Sequence, residues 1–251
     1  MARRWLGVLL VAAAACGGGA TNAAAPTTTA RPTTTTSTTA PTTTTTTVVT
    51  TTTTAPPPTT APPVTGLQPG ASGAEVAALQ QRLADLGYWL GAVDGNYGGA
   101  TAHAVTALQK VAGVAPDGIV GPATQVALDQ GVRPIPLSTV GAVVEIDLAR
   151  QVLLVVRDGV LVEVFDTSTG RRAGATPAGN WQVEREIDGY RRAPLGTLYR
   201  PKYFRGGVAI HGFTSVPSHP ASHGCVRLTY AAMDHVWEAN LAPVSTPVWV
   251  Y

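Results

Sequence analysis

Between residues 26 and 65 the chain is almost wholly Thr, Pro and Ala. Such a run carries too little apolar surface to bury a core, and its prolines favour extended backbone. Whatever folds in this 251-residue chain must therefore fold after it. Residues 66–251 leave room for one small domain and one of ordinary size. The tract itself reads as a tether, and its Thr density invites O-glycosylation.

Residues 1–25 have the parts of an export signal: Arg3 and Arg4, an apolar run from Trp5 to Ala15, then small residues. That run is too short to span a bilayer stably, and no later stretch is long and apolar enough to do so. Cys16 follows three alanines and precedes three glycines. This setting resembles the lipobox of bacterial lipoproteins, with Ala13 where a Leu is usual, and implies a lipid on Cys16. Ordinary cleavage near Ala23-Ala24-Ala25 is the alternative. Either way the protein is expected outside the cytoplasmic membrane or in the wall, touching the membrane only through that lipid. A net charge of +2 argues against a nucleic-acid partner. Of two cysteines, Cys16 is lipidated or removed, which leaves Cys225 without an intramolecular partner. It is then a reactive thiol, an intermolecular bridge or a buried inert residue.

Residues 66–131 have helical periodicity. Ser72-Gly73-Ala74-Glu75 has capping-box spacing, and Val76, Leu79, Leu83 and Leu86 fall on one face. Gly87 ends that helix. Further helices are expected over 99–111 and from Pro122. The unit repeats internally: Asp94-Gly95 to Thr101 parallels Asp117-Gly118 to Thr124, and Leu79-Gln80 is echoed by Leu108-Gln109. Tyr88, Trp89 and Tyr97 are either a ligand-contacting surface or core.

From residue 138 the pattern turns to β. Strands are expected over 143–146, 151–157 and 160–165, the last two joined by an Asp158-Gly159 turn. Another runs through Val208-Ala209-Ile210 to His211. A helix is expected over 229–240 and a closing strand over 248–251. The fold class is thus a small all-α three-helix domain over 66–131, followed over 138–251 by a mostly β, sandwich-like domain with one main helix.

The chemistry concentrates between Ile210 and Leu228, where three His, one Cys and one Arg share a short stretch. A free thiol has a pKa of about 8.5, so an imidazole that takes its proton makes it a competent nucleophile. Arg227 adds positive field two residues from Cys225. Ser222-His223-Gly224 brings the backbone close, so consecutive N–H groups can face an oxyanion. Acyl transfer by a Cys/His pair follows. A zinc site is the competing chemistry, although no second Cys and no carboxylate stands at a familiar ligand spacing.

Two family resemblances rest on these residues. Ser72-Gly73, Glu75-Val76, Leu79-Gln80, Leu86-Gly87-Tyr88, Asp94-Gly95, Tyr97-Gly98, Thr101, Gln109 and residues 117–122 resemble the peptidoglycan-binding domain found beside many wall enzymes. His211-Gly212, Ser222-His223-Gly224-Cys225 and Arg227 resemble the L,D-transpeptidase catalytic domain. The second likeness extends to residues 176–179, 199–201 and 206–210. It implies that Cys225 attacks the third residue of a donor stem peptide and expels D-Ala. His211 would be proton acceptor and donor. His223 and the N–H groups of Gly224 and Cys225 would line the oxyanion site, and Arg227 would shape the site or hold a substrate carboxylate. An amine of a second stem would then complete a 3→3 cross-link. The partner orienting His211 is expected to be a backbone carbonyl, and His219 has no role. The implied partners are peptidoglycan stems and glycan, with no cofactor and no metal. An L,D-carboxypeptidase, an inactive wall-binding lipoprotein and a metal-dependent peptidase remain open. Abundant Ala, Thr, Gly and Pro fit a high-GC, actinobacterial source.

Overall fold

The computed structural model describes residues 66–251. The expected export signal, the expected lipid site at Cys16 and the Thr/Pro tract lie outside the described residues. Three helices come first: α1 (Ala74–Asp85), α2 (Gly99–Ala112) and α3 (Pro122–Asp129). Val76, Leu79 and Leu83 are buried on one face of α1, as their spacing requires. The capping box is not formed. The helix begins at Ala74, so Gly73 is the N-cap with no side-chain bond, and Ser72 pairs with Asn96 instead. Ser72 and Glu75 are thus one residue out of register for reciprocal capping.

The internal repeat is a hydrogen-bonding unit. The Gln80 amide oxygen accepts from the Asp94 and Gly95 N–H groups, while its nitrogen faces Asp94 Oδ1, the Asn96 carbonyl and Thr101 Oγ1 at 2.9–3.0 Å. Gln109 repeats the pattern with Gly118 N, Asp117 Oδ1, the Ile119 carbonyl and Thr124 Oγ1. Both glutamines are buried. Each clip satisfies a turn that would otherwise present unpaired polar groups to the core. Tyr88 and Tyr97 are also core residues, donating to the Val132 and Gly118 carbonyls. Trp89 stacks on Phe165 and His235. These packing contacts identify the aromatic trio with the core alternative.

The β part has two mixed sheets. The first joins β1 (Ala142–Asp147), β2 (Val152–Arg157), β3 (Val160–Asp166), β4 (Gly179–Gln182) and β10 (Pro247–Val250) in the order β3-β2-β1-β10-β4. The second joins β5 (Arg185–Glu186), β7 (Gly196–Arg205), β8 (Val208–Gly212) and β9 (Val226–Leu228), with β6 (Tyr190–Ala193) also on β7. Helix α4 (Tyr230–Glu238) packs on β7 and β8. Asp158 and Gly159 both take positive φ between β2 and β3, as a tight hairpin of this type needs.

Strand β2 reads Val-Leu-Leu-Val-Val-Arg without alternation and is buried on both faces. Leu153 and Val155 face Phe204, Ile210, Val226 and Met233 across the two sheets. Val152, Leu154 and Val156 share a second core with the helical unit, including Leu79, Leu83 and Leu108. The helical unit also covers the free edge of β3, where Trp89 N donates to the Val164 carbonyl and Val164 N to the Gly87 carbonyl. Two sequence units thus close over one continuous structure.

Candidate active site

Strands β8 and β9 run parallel, with Ile210 opposite Val226, His211 opposite Arg227 and Gly212 opposite Leu228. Side chains alternate along a strand. Ile210, Val226 and Leu228 enter the core. His211 and Arg227 emerge on the other face, and Cys225, two residues before Arg227, emerges with them. All three line one cleft of about 240 Å³, whose opposite wall comes from the tip of the β6–β7 hairpin, Leu195 to Leu198.

His211 is buried, and its Nδ1 lies 2.9 Å from the Gly212 carbonyl. A carbonyl only accepts, so Nδ1 carries the proton and Nε2 keeps its lone pair. This is the backbone orientation expected from the sequence. Gly212 is required there: a Cβ would come within 2.8 Å of the Tyr199 ring and 2.9 Å of the Tyr230 ring. The His211 pKa is lowered to about 4, chiefly by desolvation, with the Gly212 carbonyl opposing and Arg227 adding to the fall. Burial pushes the Cys225 thiol up, opposed by the Ala209 N–H and by Arg227. At neutral pH the thiol is protonated and the imidazole neutral. The Cys225 Sγ is 3.8 Å from the Gly207 carbonyl.

Arg227 places its guanidinium 4.2 Å over the Phe213 ring, and that ring meets His211 edge-on. Its Nε is buried without a hydrogen-bond partner among the described residues. No carboxylate among them lies within ion-pair distance of it, and Arg227 and Phe213 both line the cleft.

The loop before Cys225 is held by its own Ser222 hydroxyl and by a distant Thr. Ser222 Oγ donates to the Cys225 carbonyl at 2.6 Å and accepts from Gly224 N at 2.9 Å. Thr176 Oγ1 donates to the Gly224 carbonyl at 2.7 Å and accepts from Gly170 N at 2.9 Å. Gly224 has φ 143°, and a Cβ on it would meet the Ala175 carbonyl oxygen at 2.5 Å. Gly224 was expected as an oxyanion donor, yet its N–H is directed at Ser222 Oγ inside the loop. His223 was expected in the same role. Its ring is exposed and receives Arg171 Nη2 at 3.1 Å, on the rim of the site. His219 is exposed, and only its carbonyl is engaged, by Ser168 Oγ. The supporting roles of Gly170 and Thr176 were missed from sequence because they lie about fifty residues from the loop they hold.

Residues 72–128 match the peptidoglycan-binding domain family, and residues 141–250 match the L,D-transpeptidase catalytic domain family. The crystal structure of an L,D-transpeptidase from Xylanimonas cellulosilytica is 48% identical, with TM-score 0.72, over 76% of this chain and 98% of that one. The amidase CwlL of Bacillus licheniformis is 54% identical over 66 residues, and the amidase CwlM of Mycobacterium tuberculosis is 50% identical over 52. The likeness to the amidases is confined to the peptidoglycan-binding domain. The chain spans only 18% and 13% of those curated relatives, or 26% and 21% of its own length. Near-complete coverage of a solved L,D-transpeptidase, with both domain families matched in order, makes this chain a member of the L,D-transpeptidase family that carries a peptidoglycan-binding domain ahead of its catalytic domain.

Proposed function

We propose that this protein cross-links peptidoglycan stem peptides through a thioester on Cys225. The observation that carries the reading is the shared face of β8 and β9: Cys225 and His211 line one cleft, and the His211 Nδ1 bond to Gly212 leaves Nε2 as the base. His211 is neutral and the thiol protonated at rest, so proton transfer accompanies attack. Sγ bonds to the carbonyl carbon of the third stem residue as its proton passes to His211 Nε2. The C–N bond to the terminal D-Ala breaks, and His211 returns the proton to the departing amine. A side-chain amine of a second stem then attacks the thioester, loses a proton to His211 and releases the thiol. The product is a 3→3 cross-link.

Arg227 supports this cycle as a cation that lines the cleft without a carboxylate partner among the described residues, suited to a substrate carboxylate or to the oxyanion. Gly224 acts through its backbone conformation, and His223 with Arg171 forms a polar rim where the stem peptide enters. The helical domain holds the enzyme on glycan or stem peptide. Residues 1–25 export the protein, with a lipid on Cys16, and residues 26–65 carry the folded part into the wall.

The test is product analysis. A donor tetrapeptide stem is incubated with the enzyme, with and without an acceptor amine. A cross-linked product that forms only with acceptor, alongside released D-Ala, is the expected result. Release of D-Ala without cross-link would favour the carboxypeptidase. Neither product from folded protein would return the weight to a wall-binding role.

A further inference from the structure

Helix α2 carries two titratable side chains, His103 and Lys110, seven residues apart on one face. Both point out of the peptidoglycan-binding domain and into the catalytic domain. Lys110 is buried, its side chain 4% exposed, and so is its partner Asp166, at 1%. Lys110 Nζ donates to Asp166 Oδ1 at 2.5 Å, to the Thr167 carbonyl at 2.9 Å and to the Gln151 carbonyl at 3.1 Å. Three donors meet three acceptors, which is full satisfaction for an ammonium. His103 Nδ1 donates to the other Asp166 oxygen at 2.6 Å. Gln151 sits in left-handed backbone, φ 56°, which residues with side chains rarely adopt.

The segment that Lys110 grips is the one that shapes the nucleophile loop. Thr167 Oγ1 donates to the Arg227 carbonyl at 2.7 Å, and Arg227 N to the Ser168 carbonyl at 3.0 Å. Ser168 Oγ donates to the His219 carbonyl, and the Thr169 carbonyl accepts from Ala221 N and Ser222 N. Residues 167–169 therefore hold both ends of the stretch containing Cys225. Gln151 braces the same segment, its amide bonding Thr169 Oγ1 and Thr169 N.

We propose that Lys110, with Asp166 as its partner, is a positioning residue for the Cys225 loop, so that the peptidoglycan-binding domain is a working part of the catalytic centre. It touches no substrate. It acts by fixing residues 166–169, against which the loop is built. This inference rests on Cys225 being the reactive group. Removing Lys110 frees two backbone carbonyls and leaves a buried carboxylate, so the segment must rearrange or admit water. Displacement of the nucleophile by a fraction of an ångström then slows acylation without changing how the donor stem binds.

The experiment compares the full chain with Lys110→Met, Asp166→Asn, the paired Lys110→Met/Asp166→Leu, and Arg133→Ala. Arg133 reaches the Leu161 carbonyl at the same interface but away from residues 166–169. Donor-stem acylation and iodoacetamide alkylation of Cys225 are followed together. Expected for Lys110→Met is a kcat about 10- to 100-fold lower with KM within about twofold, and an altered alkylation rate. Arg133→Ala should match the parent in both. The paired variant leaves no unpaired buried charge, so it keeps the test open if the single variants unfold, and it should show the same loss of kcat. Folded Lys110→Met or paired variants with parental kcat and alkylation would overturn the proposal. A parent that alkylates at Cys225 but never acylates would instead overturn the transpeptidase reading.

Discussion

Burial holds the His211 imidazole neutral down to about pH 4, and two pH dependences follow. Acylation should persist through mild acid and fall away as pH drops through that value, because a protonated Nε2 cannot accept the thiol proton. Stability should change too. An unfolded His takes up a proton near 6.5, whereas the folded one resists until about 4, so the unfolded state binds more protons between them. Stability therefore falls as pH decreases across that window, by about 3 kcal/mol from this group. Denaturant titrations at pH 7 and pH 4.5, repeated on His211→Gln, measure it; the variant should lose much of the slope. Gly224 gives a second expectation. Gly224→Ala puts a methyl onto the Ala175 carbonyl in backbone that alanine rarely adopts, so thiol acylation should drop by about two orders of magnitude or more, on the scale of a misplaced catalytic group. Stopped-time acylation by mass spectrometry checks it. That Cys225, His211 and Arg227 lie together was legible in sequence, because a strand and its following loop keep them within seventeen residues of one another. The supporting contacts of Thr176 and of the Lys110–Asp166 pair were not, since they span 48 and 56 residues. The one available signal for Lys110 was that it and His103 share a face of a helix otherwise built of Ala, Val, Leu, Thr, Gln and Gly.

Among the elements, those with strong internal patterning matched their expectations closely. The helices over 99–111 and from Pro122, the Asp158-Gly159 hairpin, the strand ending at His211 and the helix after Thr229 all appear. Strand β4 escaped because it is only four residues, Gly-Asn-Trp-Gln, and β5 to β7 because they carry Arg among partly exposed positions. Their order comes from neighbours rather than from propensity: Arg185 lies over Tyr203, Arg205 over Trp181, and Lys202 over Trp237 while bonded to Glu186. Asp188 and Asp234 order the same region, since both bind Arg200 and Asp234 also accepts from Tyr199, whose ring packs at Gly212. Helix α4 starts on Thr229, whose Oγ1 accepts from Ala232 N at 3.1 Å. Thr229→Ala should cost about 1 kcal/mol in chemical denaturation with acylation largely kept. A loss near zero would mean that tertiary packing alone sets the helix start.

At the scale of the whole molecule, sequence suggests two domains joined in series, whereas the packing gives them a common core. Val152, Leu154, Val156, Leu161 and Val164 of the first sheet are covered by the helices. Residues 138–251 expressed alone would expose that face and the edge of β3, and with them the vacated Lys110 socket. We expect this fragment to aggregate or bind a hydrophobic dye, and to lack the cooperative melting of residues 66–251. A soluble fragment with a sharp transition would show that the shared core is dispensable. An unbroken apolar strand such as β2 needs cover on both faces. What it could not specify is that the second cover comes from the other domain.

The most direct measurement of the central claim is intact-protein mass spectrometry with a donor tetrapeptide, on the parent chain beside Cys225→Ala and His211→Ala. The parent should gain the mass of the stem less its terminal D-Ala, with the adduct mapping to the peptide that contains Cys225. Cys225→Ala should gain nothing, and His211→Ala should acylate about 10²- to 10⁴-fold more slowly. An adduct of equal yield on Cys225→Ala, or none on a folded parent, would contradict a Cys225 thioester.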